Sequence, residues 1–179
     1  QSLQVNTTGN YNTAIGPQSI GKNTTGIDNT AIGYQTLREN ITGSYNTALG
    51  KQGLMYNTTG EYNTATGYMP LFRNTTGENN TAVGTWSLYN NVTGSNNTAL
   101  GKSAGNDNTG SGNVFLGYQA GRSETGSNTL YIDNSNTTSP LIKGDFANNT
   151  VTINGSLTTT GSVTSNSLVS LDGTKMVSI

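Results

Sequence analysis

The sequence predicts an all-β protein, a parallel β-roll (β-solenoid) of short stacked coils, and three observations predict it. The pattern Asn-Thr-Ala-x-Gly starts at Asn12, Asn29, Asn46, Asn63, Asn80 and Asn97, always 17 residues apart. Asn-x-Thr-Gly starts at Asn6, Asn23, Asn40, Asn57, Asn74 and Asn91 with the same step. An apolar column keeps that step too, at Ile20, Leu37, Leu54, Leu71 and Leu88. A fixed short period marks a repeat architecture, because one unit buries its apolar face only against its neighbours.

Each part of the repeat has a local reading. Asn-x-Thr-Gly is turn chemistry, since Asn tolerates left-handed angles and Gly supplies positive φ. Thr-Ala-Ile/Leu/Val is a short strand with β-branched residues. A Gly follows, and then x-Gln-x-Leu, which reads as a second short extended run. Two strands and two turns make one flattened coil, rising about 4.8 Å by strand pairing. No stretch carries helical periodicity. Beyond residue 101 the step slips to 16 at Asn113 and to 15 at Asn128, leaving six regular copies and two degenerate ones across residues 1–132.

Residues 133–179 form a second, β-rich region. Its first part is a turn-rich junction containing Pro140. Thr150-Val151-Thr152-Ile153 then alternates as a half-buried strand does, and Asn154-Gly155 is a tight-turn signal. From Ser156 the chain is rich in Ser and Thr, with Leu157, Val163, Leu168, Val169, Leu171, Met176 and Val177 spaced along it. That is too little apolar surface for a core. Three copies would intertwine into a β-prism or triple β-helix stalk; the alternative is a Ser/Thr linker.

Composition excludes much chemistry. Thr, Asn, Gly and Ser supply 98 of the 179 residues. Eight Lys and Arg against nine Asp and Glu leave no basic footprint for nucleic acid. No apolar run reaches the length of a membrane span, so no membrane insertion is expected. Without Cys there is no disulfide framework, and without His no imidazole base or ligand. No Walker or Rossmann spacing appears, so no cofactor is expected. Glu61 and Glu78 are the only carboxylates stacked one period apart within the regular copies. Two solvated turn residues describe them better than a glycosidase pair or an under-liganded calcium site. The chain is therefore read as a non-enzyme. The Thr column from Thr13 to Thr98 also matches flat ice-binding ladders; a partly buried column bonded to its neighbours is the preferred reading.

Two apolar columns run side by side along the strands. Ala14, Ala31, Ala48, Ala82 and Ala99 form one; Ile15, Ile32, Leu49, Val83 and Leu100 form the other. Adjacent strand residues point to opposite faces. If both columns are buried, one faces the interior of its own roll and the other faces a second copy. A coil with so few apolar side chains is also thin for the backbone entropy it must offset. Both points argue for a homo-oligomer.

Asn29-Thr30-Ala31-Ile32-Gly33-Tyr34-Gln35-Thr36-Leu37 and Asn57-Thr58-Thr59-Gly60 resemble the head repeats of trimeric autotransporter adhesins. They resemble more closely the longer repeats of phage tail fibres and related trimeric bacterial fibres. The resemblance covers residues 6–132. It implies a left-handed parallel β-roll, three rolls around a three-fold axis, and an extracellular place in a virion tail fibre or a bacterial surface fibre. Pro140-Leu141-Ile142-Lys143-Gly144-Asp145-Phe146 resembles the segment that precedes an endosialidase-type intramolecular chaperone in such fibres; this sequence holds no such chaperone.

The middle coils depart from their own repeat. Met69 and Trp86 share a column that holds Gln18, Gln35 and Gln52 elsewhere. Met55, Phe72 and Tyr89 share another, which holds Gly21 and Arg38 in earlier coils. Exposed apolar patches mark interaction sites, and aromatic rings stack on sugar faces. These five residues are the candidate receptor patch, with a cell-surface carbohydrate as the expected partner. The competing reading makes them trimer contacts. A fibre spacer and a fibre-borne polysaccharide depolymerase are the rival functions; the scattered carboxylates argue against the second.

Overall fold

A computed structural model describes residues 2–160 and the backbone of residues 170–171 and 175–176. Strands β1 (Thr13–Ile15), β2 (Thr30–Ile32), β3 (Thr47–Lys51), β4 (Thr64–Tyr68), β5 (Thr81–Val83) and β6 (Thr98–Leu100) stand where the repeat places them. Strands β7 (Val114–Leu116), β8 (Thr129–Ile132), β9 (Ile142–Asp145) and β10 (Thr150–Ile153) follow. All ten lie in one sheet in chain order. The first eight pair in parallel, setting Thr on Thr and Ala on Ala in the regular coils. Among the described residues there is no helix. The molecule is a β-solenoid of about seven turns.

Strand alternation sorts the two apolar columns. Ala31, Ala48, Ala65, Ala82 and Ala99 are completely buried, while Ile15, Ile32 and Leu100 are 57%, 39% and 53% exposed. Leu49, Val83 and Ala14 are half-buried. The small column therefore lines the roll, and the larger one faces outward.

The x-Gln-x-Leu run is not the expected second strand but a chain of turns. Gln35 and Leu37 both sit in the left-handed region, at φ 54° and 52°, and Gln52 and Leu54 repeat this at 58° and 51°. A left-handed Leu is disfavoured locally. Contacts between coils hold it: the Gln35 N–H donates back to Pro17 O at 2.9 Å, and the Leu37 N–H forward to Gly53 O at 3.0 Å. The run thus keeps an inter-coil ladder without being a strand. Its reward is burial, since Ile20, Leu37, Leu54, Leu71 and Leu88 are all fully enclosed.

The rest of the interior is polar. Asn40 Nδ2 donates to Asn23 Oδ1 at 2.9 Å and to Gly43 O at 2.8 Å. In the second column the Asn46 N–H donates to Asn29 Oδ1 at 3.0 Å, and Asn46 Nδ2 to Gly60 O at 2.9 Å. These asparagines are fully buried. Both motif asparagines, of which that of Asn-x-Thr-Gly is expected as a turn residue, therefore build continuous buried ladders whose amides are satisfied. The Gly of Asn-x-Thr-Gly serves them by lacking a side chain rather than by positive φ. A Cβ on Gly43 would lie 2.5 Å from both Asn40 Oδ1 and Gly60 O. Positive φ falls instead on the Gly of Asn-Thr-Ala-x-Gly, such as Gly33 at 137°. The strand Thr column is half-buried at Thr30, Thr47 and Thr64 and exposed at Thr13, Thr81 and Thr98. Hydroxyl bonds to the next coil come from the turn motif instead, as from Thr24 to Ile41 O and Thr58 to Thr75 O.

The last coil keeps a step of 16, not 15. Strand β8 sets Leu130 against Val114, so Thr129 takes the place of the ladder asparagine and donates from N–H and Oγ1 to Asn113 Oδ1. Asn128 adopts the left-handed position instead, at φ 59°. Strands β9 and β10 then turn the sheet antiparallel. Every residue of β10 is exposed, because it is the sheet's edge and no layer covers it; it is not the half-buried strand that its alternation predicts. Leu157 is likewise exposed. Ser170–Leu171 (β11) and Lys175–Met176 (β12) pair antiparallel. Val163, Leu168, Val169 and Val177 of the predicted stalk lie outside the described residues.

Candidate functional site

Residues of the turn run stand one above another in successive coils, so their side chains form surface columns. In the first column Gln35 Nε2 donates to Gln18 Oε1 at 2.6 Å, and Gln52 Nε2 to Gln35 Oε1 at 2.9 Å. The Gln residues are thus a side-chain ladder, half-buried at Gln35 and Gln52. Met69 interrupts it. It offers no donor, and the buried Gln52 Oε1 is left without a partner. Trp86, next in the column, is 38% exposed.

The five patch residues do not share one surface. Met55 is only 5% exposed. Its unbranched side chain folds against the roll, with Sδ 3.4 Å from Gln52 Nε2. It therefore leaves the patch. Phe72 and Tyr89 stack at 5.0 Å with 3° between their planes, a separation close to the rise between coils. Tyr56 meets Phe72 edge-on at 5.1 Å, and Tyr68 meets Trp86 edge-on at 6.1 Å.

Trp86 and Tyr89, three residues apart on one turn run, wall an open groove of about 440 Å³. Met69 and Phe72 lie outside its lining. The groove, which Asn90 also lines, continues over the next two coils through Lys102, Ser103 and Asn106, and then Gln119 and Arg122. Asn106 Nδ2 donates to Trp86 O at 3.0 Å, which ties the next coil to the aromatic wall. The Lys102 ammonium lies 5.7 Å from the Trp86 ring centroid and 5.9 Å from that of Tyr118, a position that favours a cation. Lys51 sits in the same way between Tyr34 and Tyr68. The column after each strand glycine reads Tyr34, Lys51, Tyr68, Thr85, Lys102, Tyr118, so this alternation was legible in the sequence.

A second, smaller cleft of about 180 Å³ opens beside Glu124 and Tyr131 at the end of the roll. The Tyr131 hydroxyl donates to Glu124 Oε2 at 2.7 Å, and Lys143 Nζ lies 5.1 Å from the Tyr131 ring centroid. Burial pushes the Glu124 carboxyl up, but the Tyr131 hydroxyl, the Gly126 N–H and the Lys143 charge outweigh it and hold it below its ordinary value. Burial and the Glu124 bond raise Tyr131, and the bond to Tyr131 raises Lys143. Elsewhere, burial pushes Glu39 up, but hydrogen bonds from Lys22 and Arg38 leave it lowered.

Among the described residues no three Asp or Glu side chains converge as metal ligands. Glu61 is half-buried and Glu78 exposed. No protein-family model, curated protein or solved structure matches this chain.

Proposed function

We propose that this solenoid is the structural and adhesive segment of an extracellular homotrimeric fibre, of the virion tail or bacterial surface kind, that attaches to cell-surface glycans. The observation that carries the reading is the groove walled by Trp86 and Tyr89. It joins two aromatic faces to the amides of Asn90, Asn106 and Gln119. Rings that cover the apolar face of a sugar, with amides in reach of its hydroxyls, are a standard solution for a hydroxyl-rich ligand. The groove sits on backbone laddered to both neighbouring coils, which suits a site that must not rearrange. No catalytic role is proposed.

The outward column of Ile15, Ile32, Leu49, Val83 and Leu100, interrupted at Thr66, supports the trimer, because an apolar row on a sheet face marks an interaction surface. A glycan array with the purified protein and its Trp86→Ala variant tests attachment. Hits that vanish in the variant are expected. An array blank for both proteins favours the spacer role and ends the adhesive reading.

A further inference from the structure

We infer that the groove between Trp86 and Arg122 takes an anionic sugar, a pyranose that carries a carboxylate; this rests on the glycan reading above. Two cations, Lys102 and Arg122, line the groove and no carboxylate does. Among the described residues neither cation is in a salt bridge, whereas Lys22 and Arg38 share the carboxylate of Glu39. Asp107, one residue past Asn106, stands outside the lining, and its Oδ1 accepts from Asn90 Nδ2 at 2.8 Å. The chain has only eight Lys and Arg and a net charge of −1, and two of those eight line this one groove.

The two cations divide the work. Lys102, held between the Trp86 and Tyr118 rings, is a fixed positive point beside the aromatic wall. Arg122 is half-buried, and its planar fork matches the two oxygens of a carboxylate. A sugar ring stacked on Trp86 would meet amides at its hydroxyls and direct its carboxylate toward these groups. A neutral sugar would use the rings and amides and leave both charges idle. Hexuronic acids and nonulosonic (sialic-type) acids share the required chemistry.

Calorimetric titration of the intact protein with trigalacturonate, a sialic acid trimer and neutral maltotriose tests this. At least one carboxylated probe is expected to bind on the order of tenfold more tightly than maltotriose, the scale of one charged hydrogen bond. Which one binds identifies the sugar class. Added salt should weaken that binding and leave maltotriose unaffected. The Lys102→Gln/Arg122→Gln variant should melt as the parent does and lose the preference. Equal or tighter binding of maltotriose overturns the anionic assignment and leaves the glycan reading standing; so does a preference that survives in the variant. That comparison of probes needs only the parent protein, so a misfolded variant does not affect it. If no probe binds and the array is also blank, both readings fall.

Discussion

The ring of Phe115 fills the space that a side chain on Gly105 would need: a Cβ there would lie 2.4 Å from Phe115 Cδ2. A Cβ on Gly121, one coil further, would lie 2.2 Å from Cδ1. Gly105 and Gly121 hold the positions that carry Leu in the regular coils, and at similar left-handed angles of 56° and 55°. Phe115 holds the position of Ala99. The degenerate coils have exchanged a small-plus-large pair for a large-plus-small one, conserving volume as close packing demands.

That exchange is testable by a double-mutant cycle. Phe115→Ala empties a fully buried site and should cost about 3–5 kcal/mol. Gly105→Leu alone drives a side chain into the ring and should also destabilise. Combined, the two rebuild the arrangement of the earlier coils, so the double variant should be more stable than their sum by at least about 1 kcal/mol. Urea unfolding of the four proteins reads this directly. Strict additivity would show that the ring and the glycine do not share one space.

How much of this was legible in the sequence follows from range. Thr-Ala-Ile strands and the opposite facing of Ala31 and Ile32 are local properties, and periodicity exposes them. Leu37 is different: its left-handed backbone contradicts local preference and holds through bonds to Pro17 and Gly53 in neighbouring coils. Asn23 and Asn40 looked like turn formers because Asn favours turns. Their burial depends on a partner 17 residues away, and the signal was that each column stacks Asn on Asn. At the groove, Trp86 and Tyr89 were visible as departures from the repeat. Lys102 and Arg122 were not joined to them: Arg122 continues the column of Tyr89 two coils on, Lys102 belongs to the column of Lys51, and the groove that brings them together exists only in the folded stack.

The Glu124–Tyr131–Lys143 chain makes stability depend on pH at both ends. Glu124 is held below its ordinary value of 4.5. Its contribution is complete above that value and fades as pH falls through the folded pKa. Tyr131 and Lys143 are raised above 10.0 and 10.5. Their contributions are complete below those values and fade as pH rises through the folded pKa values. Glu124→Gln should flatten part of the acid limb of melting temperature against pH, leaving the share that belongs to Glu39, Asp133 and Asp145, which are also held low. An unchanged acid limb would show that the carboxylate is not linked to folding.

The two strand columns should answer the same substitution differently. Ala48→Asp places a charge where no water reaches, which costs several kcal/mol, and should abolish folding. Ile32 is 39% exposed on the roll itself, so Ile32→Asp should leave the roll intact. If partner copies cover this column in the trimer, Ile32→Asp strands an unpaired charge there instead. Light scattering should then fall from three times 18.6 kDa to 18.6 kDa, with the β-sheet circular dichroism signal preserved. A parent protein that is already a stable monomer would remove the trimer from the proposal.

Trp86 and Met55 separate binding from packing on one surface. Trp86 is more than a third exposed and walls the groove, while Met55 lies beneath the surface at 5%. Trp86→Ala should weaken glycan binding by about 1–3 kcal/mol, the scale of ring stacking on nucleic-acid bases. Its cost in stability should stay below about 1 kcal/mol, as for a surface position. Met55→Ala should do the opposite, losing about 2–5 kcal/mol of stability through the cavity while the folded fraction binds as the parent does. Measuring melting and affinity on both variants gives a crossed pattern if the groove is the receptor site. If Trp86 is instead a contact between copies, its variant melts like Met55→Ala and the surviving trimer binds normally. That result would move Trp86 out of the receptor site and into the fibre's interior.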